Sequence, residues 1–199
     1  APLTSMRIVD GTDRLLRAPT TTFRAAEVGL DAFGYNFPNK ALTGILEEAA
    51  AGEGNITRFT DMAESIEISA VSVSITLTGG ETLSADFAVG ADGRGSKLRE
   101  TSGITVRNWS YPQSAMVLNF AHSLPHQNIS TEFHTKHGPF TQVPLPGSRS
   151  SLVWVQEPAE AASRMDLPLA ELGLLVEARM QSMLGKVDVE EGVQVWPLS

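Results

Sequence analysis

The chain has no cysteine. That excludes a disulfide framework, a thiolate zinc site and a cysteine nucleophile, and it permits a reducing compartment. It also lacks a basic run of roughly five or six residues, and its 15 Lys and Arg stand against 23 Asp and Glu for a net charge of -8. Such a surface opposes a phosphate backbone, which disfavours nucleic-acid binding as the main function. No stretch approaches the run of about 18 apolar residues that would span a bilayer, and the start Ala1-Pro2-Leu3-Thr4-Ser5 lacks signal-peptide architecture. There is no initiating methionine, no internal repeat and no Gly-x-Ser-x-Gly elbow of a serine hydrolase. The chain reads as an excerpt of a longer protein.

What is present is the balance of a folded domain. Hydrophobic residues make up 42% and charged residues 19% of 199, so neither disorder nor a fibrous repeat is indicated, and the length is enough for a sizeable core. Asp10-Gly11 tolerates the positive φ angles of a tight turn, so Met6 to Val9 and Leu15 to Arg17 read as the arms of a hairpin, with a further strand around Phe23 to Leu30. Behind Pro38-Asn39, residues Ala41, Leu42, Ile45, Leu46, Ala49 and Ala50 recur at helical spacing until Gly52 and Gly54.

From Ile66 the period changes to two. Val71, Val73, Ile75 and Leu77 alternate with small polar residues, Gly79-Gly80 makes a turn, and Leu83 to Val89 returns as a strand running into Gly90-Ala91-Asp92-Gly93. Ser96 is placed to cap a short helix through Arg99 that ends at Gly103. Segments 115–121, 129–135, 140–145 and 151–156 read as an antiparallel meander, followed by a helix over 168–184 and a last strand over 193–196.

The chemistry concentrates at Asp92-Gly93. A carboxylate at the end of a strand can accept bonds from ribose hydroxyls, a glycine lets the backbone approach a diphosphate, and Arg99 supplies positive charge. Asp-Gly in isolation is an ordinary turn dipeptide. Four histidines, His122, His126, His134 and His137, raise a metal cluster, which Pro125 between the first pair and the absence of supporting cysteine or carboxylates disfavour.

The full run Phe87 to Arg99 resembles the second nucleotide fingerprint of class A FAD-dependent aromatic monooxygenases, the para-hydroxybenzoate hydroxylase family. Gly34-Tyr35-Asn36-Phe37-Pro38-Asn39, Leu83-Ser84-Ala85-Asp86, Gly138-Pro139-Phe140, Val143-Pro144-Leu145-Pro146-Gly147 and Ser150 to Trp154 are similar, in order, to the ubiquinone-biosynthesis branch. The resemblance implies a mixed fold of the α+β and α/β classes: a largely antiparallel substrate-binding sheet with flanking helices plus an incomplete FAD-binding α/β portion. It divides the chain into 1–31 on the substrate side, 32–103 in the FAD-binding part and 104–199 as the rest of the substrate sheet. It also implies FAD as cofactor and NAD(P)H as co-substrate, with Asp92, Gly93 and Arg99 on the nucleotide and Asn39 beside the flavin. An ordinary helix-start role accounts for Asn39 equally well.

In this family the flavin carries oxygen transfer and no side-chain nucleophile is needed. The strand Leu152-Val153-Trp154-Val155 is apolar where benzoate-hydroxylating relatives hold a carboxylate. Phe140, Val143, Val153 and Trp154 are therefore expected to line a pocket for a small aromatic, prenylated ring, although a core strand reads the same way. The parent enzyme is expected in the cytoplasm, with peripheral contact to a membrane or a biosynthetic complex. The Gly-x-Gly-x-x-Gly that binds the FAD diphosphate and the later Gly-Asp segment are absent, so the 199 residues alone are expected to hold FAD weakly and to be inactive. The competing reading is a non-catalytic lipid- or quinone-binding module.

Overall fold

The computed structural model describes residues 1–199. By internal contacts the chain falls into two units, Ala1–Gly44 with Trp109–Ser199, and Ile45–Asn108. Residues 32–44, expected with the nucleotide-binding part, lie in the larger unit, where β4 (Gly34–Tyr35) pairs with β1 (Pro2–Leu3).

The larger unit is built on one eight-stranded sheet. Its strands are β2 (Ser5–Asp10), β3 (Thr21–Arg24), β8 (Ser114–His122), β9 (Ile129–Thr135), β10 (Gly138–Leu145), β11 (Arg149–Gln156), β12 (Val187–Val189) and β13 (Gln194–Pro197), in the order β12-β8-β11-β10-β9-β2-β3. β13 shares the free edge of β8 with β12. Every pairing is antiparallel except β2 with β9, which is parallel. β9, β10 and β11 form the expected meander, but β8 pairs with β11 at the far side instead of with its sequence neighbour β9. The hairpin opened by Asp10-Gly11 also differs from expectation: its return arm is Thr21–Arg24, and Leu15 to Arg17 belong to the connection.

Strand alternation sorts the side chains onto two faces. Phe133, Phe140, Trp154 and Met116 are register partners across four adjacent strands and are all buried. They join Val9, Leu118, Phe120 and Leu152 in one core cluster beneath α4 (Leu169–Arg179), which presents Leu172 and Val176 at helical spacing and is followed by the buried Met180. Burying each of these large apolar side chains is worth about 1.5–3 kcal/mol. The helix expected to reach residue 184 stops at Arg179 because Gln181 and Ser182 take left-handed φ values of 54° and 52°. Leu184 still packs into the core beyond that bend. A helix not anticipated from the sequence, α3 (Pro158–Met165), starts on a proline whose missing N–H costs nothing in a first turn.

The smaller unit holds most of α1 (Asn39–Gly52), then a three-stranded antiparallel sheet of β5 (Ala63–Ile68), β6 (Val73–Leu77) and β7 (Thr82–Ala85), and the short helix α2 (Lys97–Thr101). β7 ends at Ala85. Residues 86–89 were expected to continue it, but no strand of the chain lies beside them to satisfy their backbone, and Phe87 and Val89 stand exposed.

Candidate functional site

In the smaller unit the Asp92-Gly93 segment is an organised loop. The Ser96 hydroxyl donates to Asp92 Oδ1 at 2.5 Å, while the backbone N–H groups of Lys97 and Leu98 donate to Oδ2 at 2.8 and 3.4 Å. Ser96, the N-cap of α2, in turn accepts from the Arg99 N–H at 3.1 Å. The first turn of α2 thus places its otherwise unpaired N–H groups on one carboxylate and one hydroxyl. The Ser96 hydroxyl, followed by the neighbouring backbone donors, holds the Asp92 carboxyl below its ordinary value. Asp92 was expected to accept from ribose hydroxyls or water; in the chain itself its carboxylate accepts from three donors that shape the loop.

Lys97 fastens this loop to the sheet by donating from Nζ to the carbonyls of Ala63 and Glu64 at 2.7 and 2.9 Å. Gly93 has φ 82°, and nothing lies within 4 Å of where a Cβ would stand. The backbone there is open to a bulky anion, and only glycine adopts that conformation without strain. Arg99 is half-buried in α2. An open backbone at Gly93 and a fixed loop suit a dinucleotide diphosphate, so the residues present fit an FAD or NAD(P)H site in part.

Asn39 lies in the larger unit as the first residue of α1. The Pro38 carbonyl accepts from the N–H groups of Ala41 and Leu42, and the Asn39 carbonyl from the Thr43 hydroxyl.

The four expected pocket residues divide between the faces of the large sheet. Phe140 and Trp154 are core residues, with ring centroids 5.2 Å apart, and Phe140 meets Phe133 edge-on at 5.8 Å. Arg164 lies over the Trp154 ring at 4.5 Å and Arg179 at 5.8 Å. Val143 and Val153 belong to the opposite, open face, where Ile8, Glu132, Thr141, Val153 and Val117 follow one another across the strands. Adjacent residues such as Val153 and Trp154 cannot share a face, so the four do not form one pocket.

The same open face carries a hollow of about 250 Å³ lined by Met6, Arg7, Ile8, Phe23, Ser130, Glu132 and Thr141. Met6, Ile8 and Phe23 were not anticipated, although the alternation of Met6-Arg7-Ile8-Val9 marks two of them as sharing a face. At its polar end, Glu132 accepts from the Thr141 hydroxyl at 3.2 Å and lies 2.7 Å from His134 Nε2.

The histidines are occupied locally. His122 Nδ1 is 2.8 Å from the Leu124 carbonyl and Nε2 is 3.1 Å from Ser150 Oγ, which also accepts from the Gln142 amide at 2.8 Å. The carbonyl can only accept, so Nδ1 carries the proton and Nε2 receives the Ser150 hydroxyl. Burial holds the His122 pKa below its ordinary value. His126 accepts at Nδ1 from the Asn128 N–H and donates from Nε2 to the Leu145 carbonyl. No group of three or more His, Asp or Glu is arranged to hold a metal ion.

Comparison with known proteins places this geometry. Ubiquinone hydroxylase UbiL of Rhodospirillum rubrum is 32% identical over 94% of the chain, and 3-demethoxyubiquinol 3-hydroxylase of Escherichia coli is 30% identical over 83%. The chain spans 42% of the length of each. Among solved structures, p-nitrophenol 4-monooxygenase PnpA of Pseudomonas putida superposes with a TM-score of 0.72 at 14% identity, covering 99% of this chain and 51% of that one. The halogenase PltM, solved with phloroglucinol and FAD, superposes with a TM-score of 0.72 at 12% identity over 98% of this chain and 43% of its own. These two likenesses establish the mixed, sheet-based fold. A family model described as "FAD binding domain" matches residues 29–194, taking in both the Asp92-Gly93 loop and the sheet from β8 to β12, and the chain belongs to that family.

Proposed function

We propose that the chain is the substrate-side portion of an FAD- and NAD(P)H-dependent monooxygenase that hydroxylates an aromatic ring, and that the ring is a prenylated phenol of ubiquinone biosynthesis. The observation that carries this reading is the family match running through an Asp-Gly loop built as a fixed, open-backbone turn. Support for the substrate class comes from the two hydroxylases named above and from an open sheet face rich in Met6, Ile8, Phe23, Val143 and Val153.

On this reading Gly93 and Arg99 take the nucleotide diphosphate, Asp92 holds their loop in shape, and Asn39 approaches the flavin. Bound FAD supplies the redox and oxygen-transfer chemistry. The chain's own share is positioning and dryness. Met6, Ile8, Phe23 and Val153 remove water from one side of the ring, Glu132 and Thr141 offer hydrogen bonds to a ring hydroxyl, and Phe140 and Trp154 stiffen the strands from behind. The reading places the enzyme in the cytoplasm, against the membrane in which a prenylated substrate resides. No helix is long and apolar enough to cross a membrane.

The test is to purify the native protein containing this chain, measure its bound flavin by absorbance, and follow NAD(P)H oxidation with and without a prenylated phenol. Bound flavin with substrate-stimulated oxidation is expected. A protein that takes up no added FAD refutes the reading, and one that binds quinone without oxidising NAD(P)H points to the non-catalytic module.

A further inference from the structure

The connection between β2 and β3 carries two leucines that nothing in the molecule covers. Leu15 is 99% exposed and Leu16 87%, and they are flanked by the exposed Arg14 and Arg17. The loop is tied at its base. Asp10 accepts at Oδ1 from the Thr12 N–H at 3.0 Å and the Thr12 hydroxyl at 2.5 Å, and at Oδ2 from the Ala18 N–H at 2.9 Å on the far side of the loop. Residues 13–17 are therefore presented as a tip.

Beside that tip lies a hollow of about 420 Å³ lined by Arg14, Lys136, His137 and Arg179, with Asp13 the single carboxylate in its wall. Glu157 stands 3.3 Å from His137 Nδ1, and Glu160 acts on His137 and Arg179 from α3. Asp10 at the loop base also acts on Arg14, so Arg14, Arg17, Lys136 and Arg179 stand against Asp10, Asp13, Glu157 and Glu160 around the hollow, and the cationic excess is confined to the tip, where Arg14 and Arg17 face Asp13 alone.

We propose that this edge of the larger unit docks on an anionic phospholipid bilayer, with Leu15 and Leu16 entering the acyl boundary and Arg14, Arg17, Lys136 and Arg179 meeting lipid phosphates. Apolar tip residues ringed by Arg and Lys match the layered chemistry of a membrane interface, where long cationic side chains reach the headgroups while their neighbours sit deeper. Each cation near an anionic leaflet strengthens the contact. A second copy is a poorer occupant, since a two-fold contact would set this cationic tip against itself.

The proposal extends the reading of a prenylated substrate, which gives docking a purpose, but its test needs neither flavin nor turnover. The full chain is sedimented with vesicles of equal parts phosphatidylcholine and phosphatidylglycerol, and with phosphatidylcholine alone. Binding is expected to the mixed vesicles only and to weaken with salt. Leu15→Ser with Leu16→Ser, and separately Arg14→Gln with Arg17→Gln, each reduce it by about tenfold or more. Val71→Ser, 81% exposed on the smaller unit, leaves it unchanged. Leu15→Trp shifts its fluorescence to the blue on vesicle addition, which covers the case of a double variant that does not fold.

Absence of binding to the mixed vesicles, equal binding by all variants, or leucine-dependent self-association without vesicle binding each overturns the proposal. If binding fails while flavin and oxidation assays succeed, the monooxygenase reading stands and only the docking surface falls. If binding succeeds and those assays fail, the reverse holds.

Discussion

Phe140 separates two accounts of the large sheet, one in which it lines a substrate pocket and one in which it anchors the core. Its side chain is 0% exposed and meets Phe133 and Trp154 edge-on at 5.8 and 5.2 Å. Phe140→Ala removes a fully buried ring and leaves a cavity between two others, at a cost of about 3–5 kcal/mol. Of that, the two edge contacts account for about 1–3 kcal/mol. For a chain of this size the loss lowers the melting temperature by roughly 6–20 °C. Val153 sits one residue from Trp154 on the other face and is 37% exposed. Val153→Ala therefore costs no more than about 1 kcal/mol, while it should raise the KM for an aromatic substrate if the open face binds the ring. Thermal unfolding followed by circular dichroism reads the first effect and steady-state kinetics the second. If Phe140→Ala and Val153→Ala destabilise equally, the assignment of faces is wrong.

Two further outcomes follow from local geometry. His122 is held neutral by burial, so its folded pKa lies below the unfolded one; its contribution to stability is complete above about pH 6.5 and declines as pH falls through that value toward the folded pKa. Denaturant titrations across that range should show the decline, and His122→Gln should flatten it. Gly93→Ala forces a Cβ into φ 82° and should cost about 1–2 kcal/mol while lowering flavin content; unchanged flavin content would separate the Asp-Gly loop from nucleotide binding.

Local sequence was enough wherever one segment decides its own conformation. Pro38-Asn39 and the apolar spacing beyond it gave the α1 start, Ser96 and Gly103 bracketed α2, the period-two run marked β6, and strand-forming composition between Pro and Gly turns marked β9, β10 and β11. The Asp92-Gly93 run carried the family. Each depends on sterics or on hydrogen bonds within a few residues, which composition and spacing record directly.

Tertiary structure decided which strands meet and which face is covered. Alternation in Leu152-Val153-Trp154-Val155 announces two faces, but only α4 settling over Trp154, Phe140 and Phe133 makes one of them core and leaves Val153 with Met6 and Ile8 on the other. The pairing of β8 with β11, the parallel placement of β2 beside β9 and the return of the first hairpin at Thr21 instead of Leu15 all join residues through connections whose closure no local pattern specifies. The Asp92 carboxylate shows the same division: its position was legible in the sequence, but its engagement by Ser96, Lys97 and Leu98 appears only once the helix it caps has folded against it.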